Sequence, residues 1–141
     1  MKTLFTLTLL LLVSCSTKKD TLKIPETIEE AVSSGFRSPE NKERDRYRHP
    51  EETLKFFGLK PEMTVIEITP GKGWYMEILA PLMTEKGQYI MAVSAPAKKP
   101  YEIANEKAIN EWKAKYPQVG DKMKYVLFTD MKIQLPQDGS V

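Results

Sequence analysis

The chain has 141 residues, of which 41% are hydrophobic and 28% are charged, and its formal net charge is +2. This length predicts a single domain with the composition of an ordinary globular protein. The charge is too small to indicate nucleic-acid binding, and a single cysteine excludes an internal disulfide.

The N-terminus has the pattern of an export signal. Residues 4–13 are apolar and uncharged, and they follow Met1 and Lys2. This run is shorter than the roughly 20 residues of a membrane-spanning helix, but it matches the core of a signal peptide. It leads into the sequence LVSC at residues 12–15, which resembles the lipobox of bacterial lipoproteins.

The lipobox resemblance implies that residues 1–14 are a signal peptide and that Cys15 is lipidated after cleavage. Such a chain is exported and is lipid-anchored to the cell envelope on the periplasmic side, and Ser16 favours the outer membrane. The membrane is then a partner through the anchor at Cys15. The alternative is an uncleaved signal anchor with an incidental cysteine.

Residues 15–36 are predicted to form a tether and a short helix. Residues 16–25 are polar and irregular, which is typical of a tether between an anchor and a folded domain. Residues 26–34 would form the helix, with Ile28 and Val32 on one face and Gly35 at its end.

The segment from Arg37 to Arg48 mixes basic and acidic residues and leaves two interpretations open. It is either a solvated stretch with local ion pairs, or a lid that offers an arginine to a carboxylate or phosphate. His49 is the only histidine and is either a structural hydrogen-bonding residue or a catalytic one. A lone histidine cannot form a multi-histidine site, and no metal site is predicted.

A short helix is expected to start at Pro50, which suits the first helical position, and to stop at Gly58. Two acids follow the proline, where the helix dipole favours negative charge. The residues expected to supply packing surface are Leu54, Phe56 and Phe57.

The central stretch predicts a strand, a glycine turn and a helix in succession. Residues 63–68 are nearly continuously apolar, which indicates a strand covered on both faces, as in a parallel sheet. Gly71 and Gly73 follow, and a helix is expected from Trp74 onward. In parallel α/β folds a small ligand binds at this end of a strand, so Glu67 near the strand's end is a candidate binding residue.

Two common nucleotide motifs do not fit this turn. A Walker loop needs the pattern G-x-x-x-x-G-K-[ST], which is absent here. A dinucleotide site needs a third glycine where Met76 stands, and an acid after the next strand. That strand is predicted over residues 88–93, and no acid follows it in Ser94-Ala95-Pro96. A dinucleotide is therefore disfavoured.

The sequence EITPGKG at 67–73 resembles motif I of class I S-adenosylmethionine-dependent methyltransferases. Residues 44–59 and 65–81 resemble a bacterial branch of predicted, often exported methyltransferase-like proteins nearly throughout. The resemblance covers about residues 37–141. It implies S-adenosyl-L-methionine, a small-molecule methyl donor, as the cofactor.

The resemblance also implies roles for single residues. Glu67 would lie near the amino or ribose groups of the donor, and Gly71 and Gly73 would surround its methionine part. Pro70 replaces the first glycine of the general motif and suits this branch. Trp74 is either a core residue or part of the pocket wall, as is Tyr75 beside it. The acid that usually binds the ribose hydroxyls after the second strand is missing.

The second half predicts two further strands and a helix. The helix spans residues 101–116, with Tyr101, Ala104 and Trp112 on its apolar face. The third strand spans residues 124–129. Asp130 follows it, where the resemblance implies an acid that meets the adenine amine; the alternative is a loop or cap residue.

Taken together, the sequence predicts an α/β chain with about three parallel strands and flanking helices. The resemblance implies the N-terminal part of a Rossmann-like class I methyltransferase fold over residues 37–141, truncated at its C-terminal side. The expected function is a lipid-anchored S-adenosylmethionine-dependent methyltransferase whose acceptor substrate and catalytic residues are unknown. The alternative is a non-catalytic, lipid-anchored binding module or an inactive fragment of the fold.

Overall fold

The computed structural model describes residues 22–94, 99–129 and 132–133. The predictions for the signal peptide, for Cys15 and for Asp130 lie outside these residues. Within the described ranges no helix is long and apolar enough to cross a membrane. The elements in chain order are α1 Ile28–Ser33, α2 Pro39–Glu43, α3 Asp45–Arg48, α4 Pro50–Phe56, β1 Thr64–Ile68, α5 Met76–Met83, β2 Gln88–Ser94, α6 Pro100–Lys115, α7 Pro117–Gly120, β3 Lys124–Thr129 and β4 Lys132–Ile133.

The sheet has the order β1-β2-β3-β4, and its first three strands are parallel. The predicted α/β class with three parallel strands is therefore confirmed. The two-residue strand β4 pairs antiparallel with β3 and was not predicted. Because β1, β2 and β3 run in the same direction, their carboxyl ends lie side by side at one end of the sheet.

One face of the sheet carries the main core. Val65, Tyr89 and Met91 point to this face and pack with helices α1, α4, α5, α6 and α7. The opposite face carries a smaller apolar cluster of Ile90, Ala92 and Val126, against which described residues of the strands pack.

Strand β1 lies at the edge of the sheet among the described strands, and the prediction that both its faces are covered is met only in part: Val65 packs against the main core and Ile66 against the smaller cluster, but both stay half-buried. Thr64 and Ile68 are exposed, and the three residues between them are only half-buried. The apolar composition of β1 indicated a strand correctly, and among the described strands it pairs with β2 alone.

Local sequence signals explain the ends of the first helices. The Thr27 side chain accepts a hydrogen bond from the Glu30 N–H at 3.2 Å and caps α1. Pro50 occupies the first turn of α4, and Gly58 ends that helix in the left-handed region with φ of 66°. Both helices agree with the sequence-based boundaries within two residues.

The predicted tether is shorter than expected. Leu22 and Ile24 pack against the main core, and Leu22 contacts Gly35. Beyond α1, Phe36 is fully buried, and its carbonyl oxygen accepts a hydrogen bond from the Trp112 indole N–H at 2.8 Å. Residues 22–36 therefore belong to the folded domain.

Four residues predicted to pack are exposed. Phe56 and Phe57 are 86% and 74% exposed, since Leu54 is the residue of α4 that reaches the core. Tyr101 and Ala104 are exposed at the start of α6, because only the C-terminal half of this helix, with Ile109 and Trp112, reaches the core.

The segment from Arg37 to Arg48, called the arginine-rich segment below, is held in place by the buried guanidinium of Arg37. The Arg37 side chain is fully buried and forms an ion pair with Asp45, including an Nη2–Oδ1 contact of 2.8 Å. Its Nη1 also donates to the Val32 carbonyl at 2.9 Å. The expected local ion pair is present, but Arg37 is buried rather than solvated, and its Nε atom has no hydrogen-bond partner among the described residues.

Replacing Asp45 with alanine should lower the free energy of unfolding by about 2 kcal/mol. Removal of one partner from a fully buried pair costs roughly 3–5 kcal/mol, and Asp45 remains partly exposed. Urea unfolding, followed by tryptophan fluorescence, measures the effect. Glu43→Ala, at an exposed position in α2, is the control and should change stability by less than about 0.5 kcal/mol. Equal effects of the two substitutions would contradict the structural role of this pair.

Candidate functional site

The turn after β1 has the backbone geometry that its glycines predict. Thr69, Gly71 and Gly73 have φ values of 53°, 60° and 88°, in the left-handed region. The Gly73 N–H donates to the Pro70 carbonyl at 2.9 Å and closes the turn. Pro70 thus contributes its carbonyl to the turn, where the general motif has a glycine.

The two glycines have different surroundings. A Cβ atom added to Gly73 would lie 2.6 Å from Cε of Met76, so this glycine allows the turn to pack against α5. A Cβ atom added to Gly71 would meet no atom of the described residues within 4 Å. Gly71 is therefore the position where a ligand could approach the backbone closely.

Trp74 is buried between the glycine turn and the arginine-rich segment. It is 4% exposed, and its indole N–H donates to the Asn41 carbonyl at 2.9 Å. The Arg48 guanidinium lies over the ring, 4.5 Å from its centroid. Helix α5 begins at Met76, two residues later than predicted, so Trp74 lies in the turn.

Tyr75 connects the stacked Arg48 and Trp74 side chains to α4 and β1. Its ring meets Trp74 edge to face at a centroid distance of 4.5 Å. Burial raises the pKa of Tyr75, whereas the positive charge of Arg48 and a polar contact with Thr53 lower it. The negative charge of Glu67 also raises this pKa. These groups therefore interact around one phenol.

Glu67 is largely enclosed at the end of β1. Its carboxylate accepts a hydrogen bond from the Tyr89 hydroxyl on the neighbouring strand. Burial raises the pKa of Glu67, and the hydrogen bond from Tyr89 opposes that shift. Burial, followed by the charge of Glu67, also raises the pKa of the Tyr89 hydroxyl.

An acid that the sequence did not identify lies beside the end of β2. Glu102, in the first turn of α6, lies with one carboxylate oxygen 3.3 Å from the Ser94 hydroxyl. Its other oxygen accepts from the Lys99 N–H at 2.8 Å. The only sequence signal was its place two residues after Pro100 at a helix start, which indicated a capping role.

The structure thus brings five of the predicted site residues together at the end of β1: Glu67, Pro70, Gly71, Gly73 and Trp74. Tyr75, for which core and pocket-wall roles were both open, lies in this group, and the structure adds Arg48 and Thr53 to it. His49 lies on the surface at the start of α4, with Nδ1 3.9 Å from the Glu52 carboxylate. No cluster of three metal-ligating side chains occurs in the described part of the chain.

Comparisons of the chain with protein-family models, with curated proteins and with solved structures found no match. Inferences about its function therefore depend on the residues described above and on the motif resemblance.

The buried carboxyl of Glu67 should make stability depend on pH. Because its folded pKa is raised, ionisation of Glu67 costs more free energy in the folded protein than in the unfolded chain. The free energy of unfolding should fall as the pH rises from about 4, the unfolded value, through the folded pKa. Urea unfolding over a pH series measures this fall, which Glu67→Gln should remove.

Tyr89→Phe provides the second comparison. It removes the hydrogen bond that lowers the pKa of Glu67, so the loss of stability should extend to higher pH than in the unsubstituted protein. Parallel pH profiles for the unsubstituted protein and Glu67→Gln would show that Glu67 is not buried as described.

Proposed function

We propose that the chain binds S-adenosylmethionine at the carboxyl end of β1 and that it is a methyltransferase with a Rossmann-like fold. The observation that carries this proposal is the glycine turn after β1, which has open space at Gly71 and is flanked by the Glu67 carboxylate and by the Arg48 guanidinium stacked on Trp74. The resemblance of residues 67–73 to motif I supports the same ligand.

The charges fit the amino-acid end of this donor, which carries an ammonium and a carboxylate. Glu67 would bind the ammonium, whose positive charge favours the ionised carboxylate. Arg48 would bind the carboxylate, and it forms no ion pair with a described residue that would have to be broken first. Its stacking on Trp74 leaves the guanidinium N–H groups in the ring plane available for a carboxylate.

The end of β2 fits the nucleoside end of the donor. Adjacent parallel strands place their carboxyl ends side by side, so Glu102 and Ser94 lie at the same end of the sheet as Glu67. A carboxylate accepts several hydrogen bonds, so Glu102 can cap α6 and still accept from a ribose hydroxyl. Glu102 would thus serve as the ribose-binding acid that is missing from the sequence directly after β2.

The donor would supply an electrophilic methyl group on a sulfonium centre. Methyl transfer depends largely on holding that group in line with an acceptor atom, so the protein's main task would be positioning. No described residue is assigned as a general base. Export and lipid anchoring through Cys15 remain predictions from the sequence.

A non-catalytic binding module is the second candidate. It is favoured by the position of β1, which has a neighbouring strand on one side only among the described residues. The donor site would then lie beside an edge strand. No described strand forms a wall on the side of β1 that faces away from β2. Binding of the donor without methyl transfer would support this candidate.

Calorimetry with S-adenosylmethionine tests the proposal, and Gly71→Ala gives the site-specific result. Gly58→Ala is the matched control, since Gly58 also has a positive φ and open space for a Cβ, but ends α4. Both substitutions should destabilise by about 1–2 kcal/mol from the left-handed backbone. Only Gly71→Ala should weaken binding, by at least about tenfold, or roughly 1.4 kcal/mol. Failure of the folded, full-length chain to bind would reject the proposal.

Arg48→Gln should weaken S-adenosylmethionine binding by about 1.5–3 kcal/mol, the value of a hydrogen bond to a charged group. The same substitution should leave methylthioadenosine binding unchanged, because that compound lacks the amino-acid end. Arg46→Gln, which removes the arginine stacked on Tyr47, is the control for lost charge. Equal losses for both ligands, or for both arginines, would rule out the assigned role of Arg48.

A further inference from the structure

Two consecutive phenylalanines form an exposed aromatic pair at the end of α4. Phe56 and Phe57 are 86% and 74% exposed, and their rings meet edge to face with centroids 5.6 Å apart. Leu54 anchors the helix to the core, so the fold keeps the pair outside. Two adjacent exposed rings flanked by charged residues form a candidate surface for an apolar partner.

The charges near this pair do not favour a polyanion. Lys55 is already bound by Glu29 and by Glu51, the latter at 2.8 Å. Over residues 51–62 the chain has three acids and two lysines. A partner that accepts aromatic rings without needing positive charge is the interfacial region of a lipid bilayer, where aromatic side chains are enriched.

The geometry also keeps the pair close to the predicted anchor. Six residues, 16–21, separate Cys15 from Leu22, so these two residues are seven steps of the chain and at most about 25 Å apart. Leu22 contacts Gly35 just beyond the end of α1, and Lys55 binds Glu29 in its first turn. Helix α1 is about 9 Å long, so the start of the folded domain and the aromatic pair lie near its two ends.

We propose that the Phe56–Phe57 pair docks the domain on the surface of the bilayer that holds its N-terminus. This contact is separate from the donor site and from the lipid on Cys15. It would fix the orientation of the domain, whereas the six residues between Cys15 and Leu22 limit only its distance from the membrane.

An environment-sensitive fluorophore tests this docking in the full chain. Cys15→Ser removes the only cysteine, and a histidine tag at its N-terminus binds the chain to phosphatidylcholine vesicles that contain a nickel-chelating lipid. A label on Phe57→Cys should brighten at least about twofold, shift to the blue and be quenched by lipids that carry a nitroxide in the headgroup region. Phe56→Cys should give the same response.

Tyr101→Cys is the control, because Tyr101 is also an exposed aromatic residue, 58% exposed, but lies on α6. Its label should change little. Equal responses at the two sites would overturn the proposal. So would a Phe57 signal that rises with protein concentration without vesicles, since it would indicate contact with a second copy. These readouts do not depend on S-adenosylmethionine binding.

Discussion

The arrangement of the candidate site depends on the burial of the Arg37 guanidinium. This side chain is fully buried and ties α1 to α3, through the Val32 carbonyl and the Asp45 carboxylate. It also lies 3.4 Å from the Asn41 carbonyl, the same oxygen that accepts the Trp74 indole N–H. A buried cation is costly unless its hydrogen bonds are made, so each of these partners is constrained to its place. The arginine-rich segment is therefore fixed on the glycine turn rather than lying loosely over it.

This constraint explains how residues distant in sequence form one site. Once Trp74 is held by Asn41, its ring offers a face on which Arg48 stacks. A second link acts beside it, since the buried Glu77 carboxylate accepts the Ser38 N–H at 2.9 Å at the start of α2. The turn after β1 thus receives its positive charge from a segment about 25 residues earlier. The opposite charge, on Glu67, comes from β1 itself.

Local patterns predicted most of the elements but not their burial. Pro50, Gly58 and the glycines of the turn act through backbone conformation, which a residue carries wherever it occurs. The burial of Arg37 and the exposure of Phe57 depend on how the helices pack in the fold, which a local sequence pattern does not reveal. Glu102 was missed for the same reason, since only the fold brings it beside Ser94.

The two proposals meet on α4, a helix of seven residues. Thr53 contacts Tyr75 at the donor site, and the aromatic pair begins three residues later, about 5 Å along the helix axis. Where one element takes part in both contacts, any coupling between them must be reciprocal. Coupling through α4 would therefore appear as equal fold-changes in donor affinity and in affinity for the bilayer, and unchanged affinities would mean that the two contacts act independently.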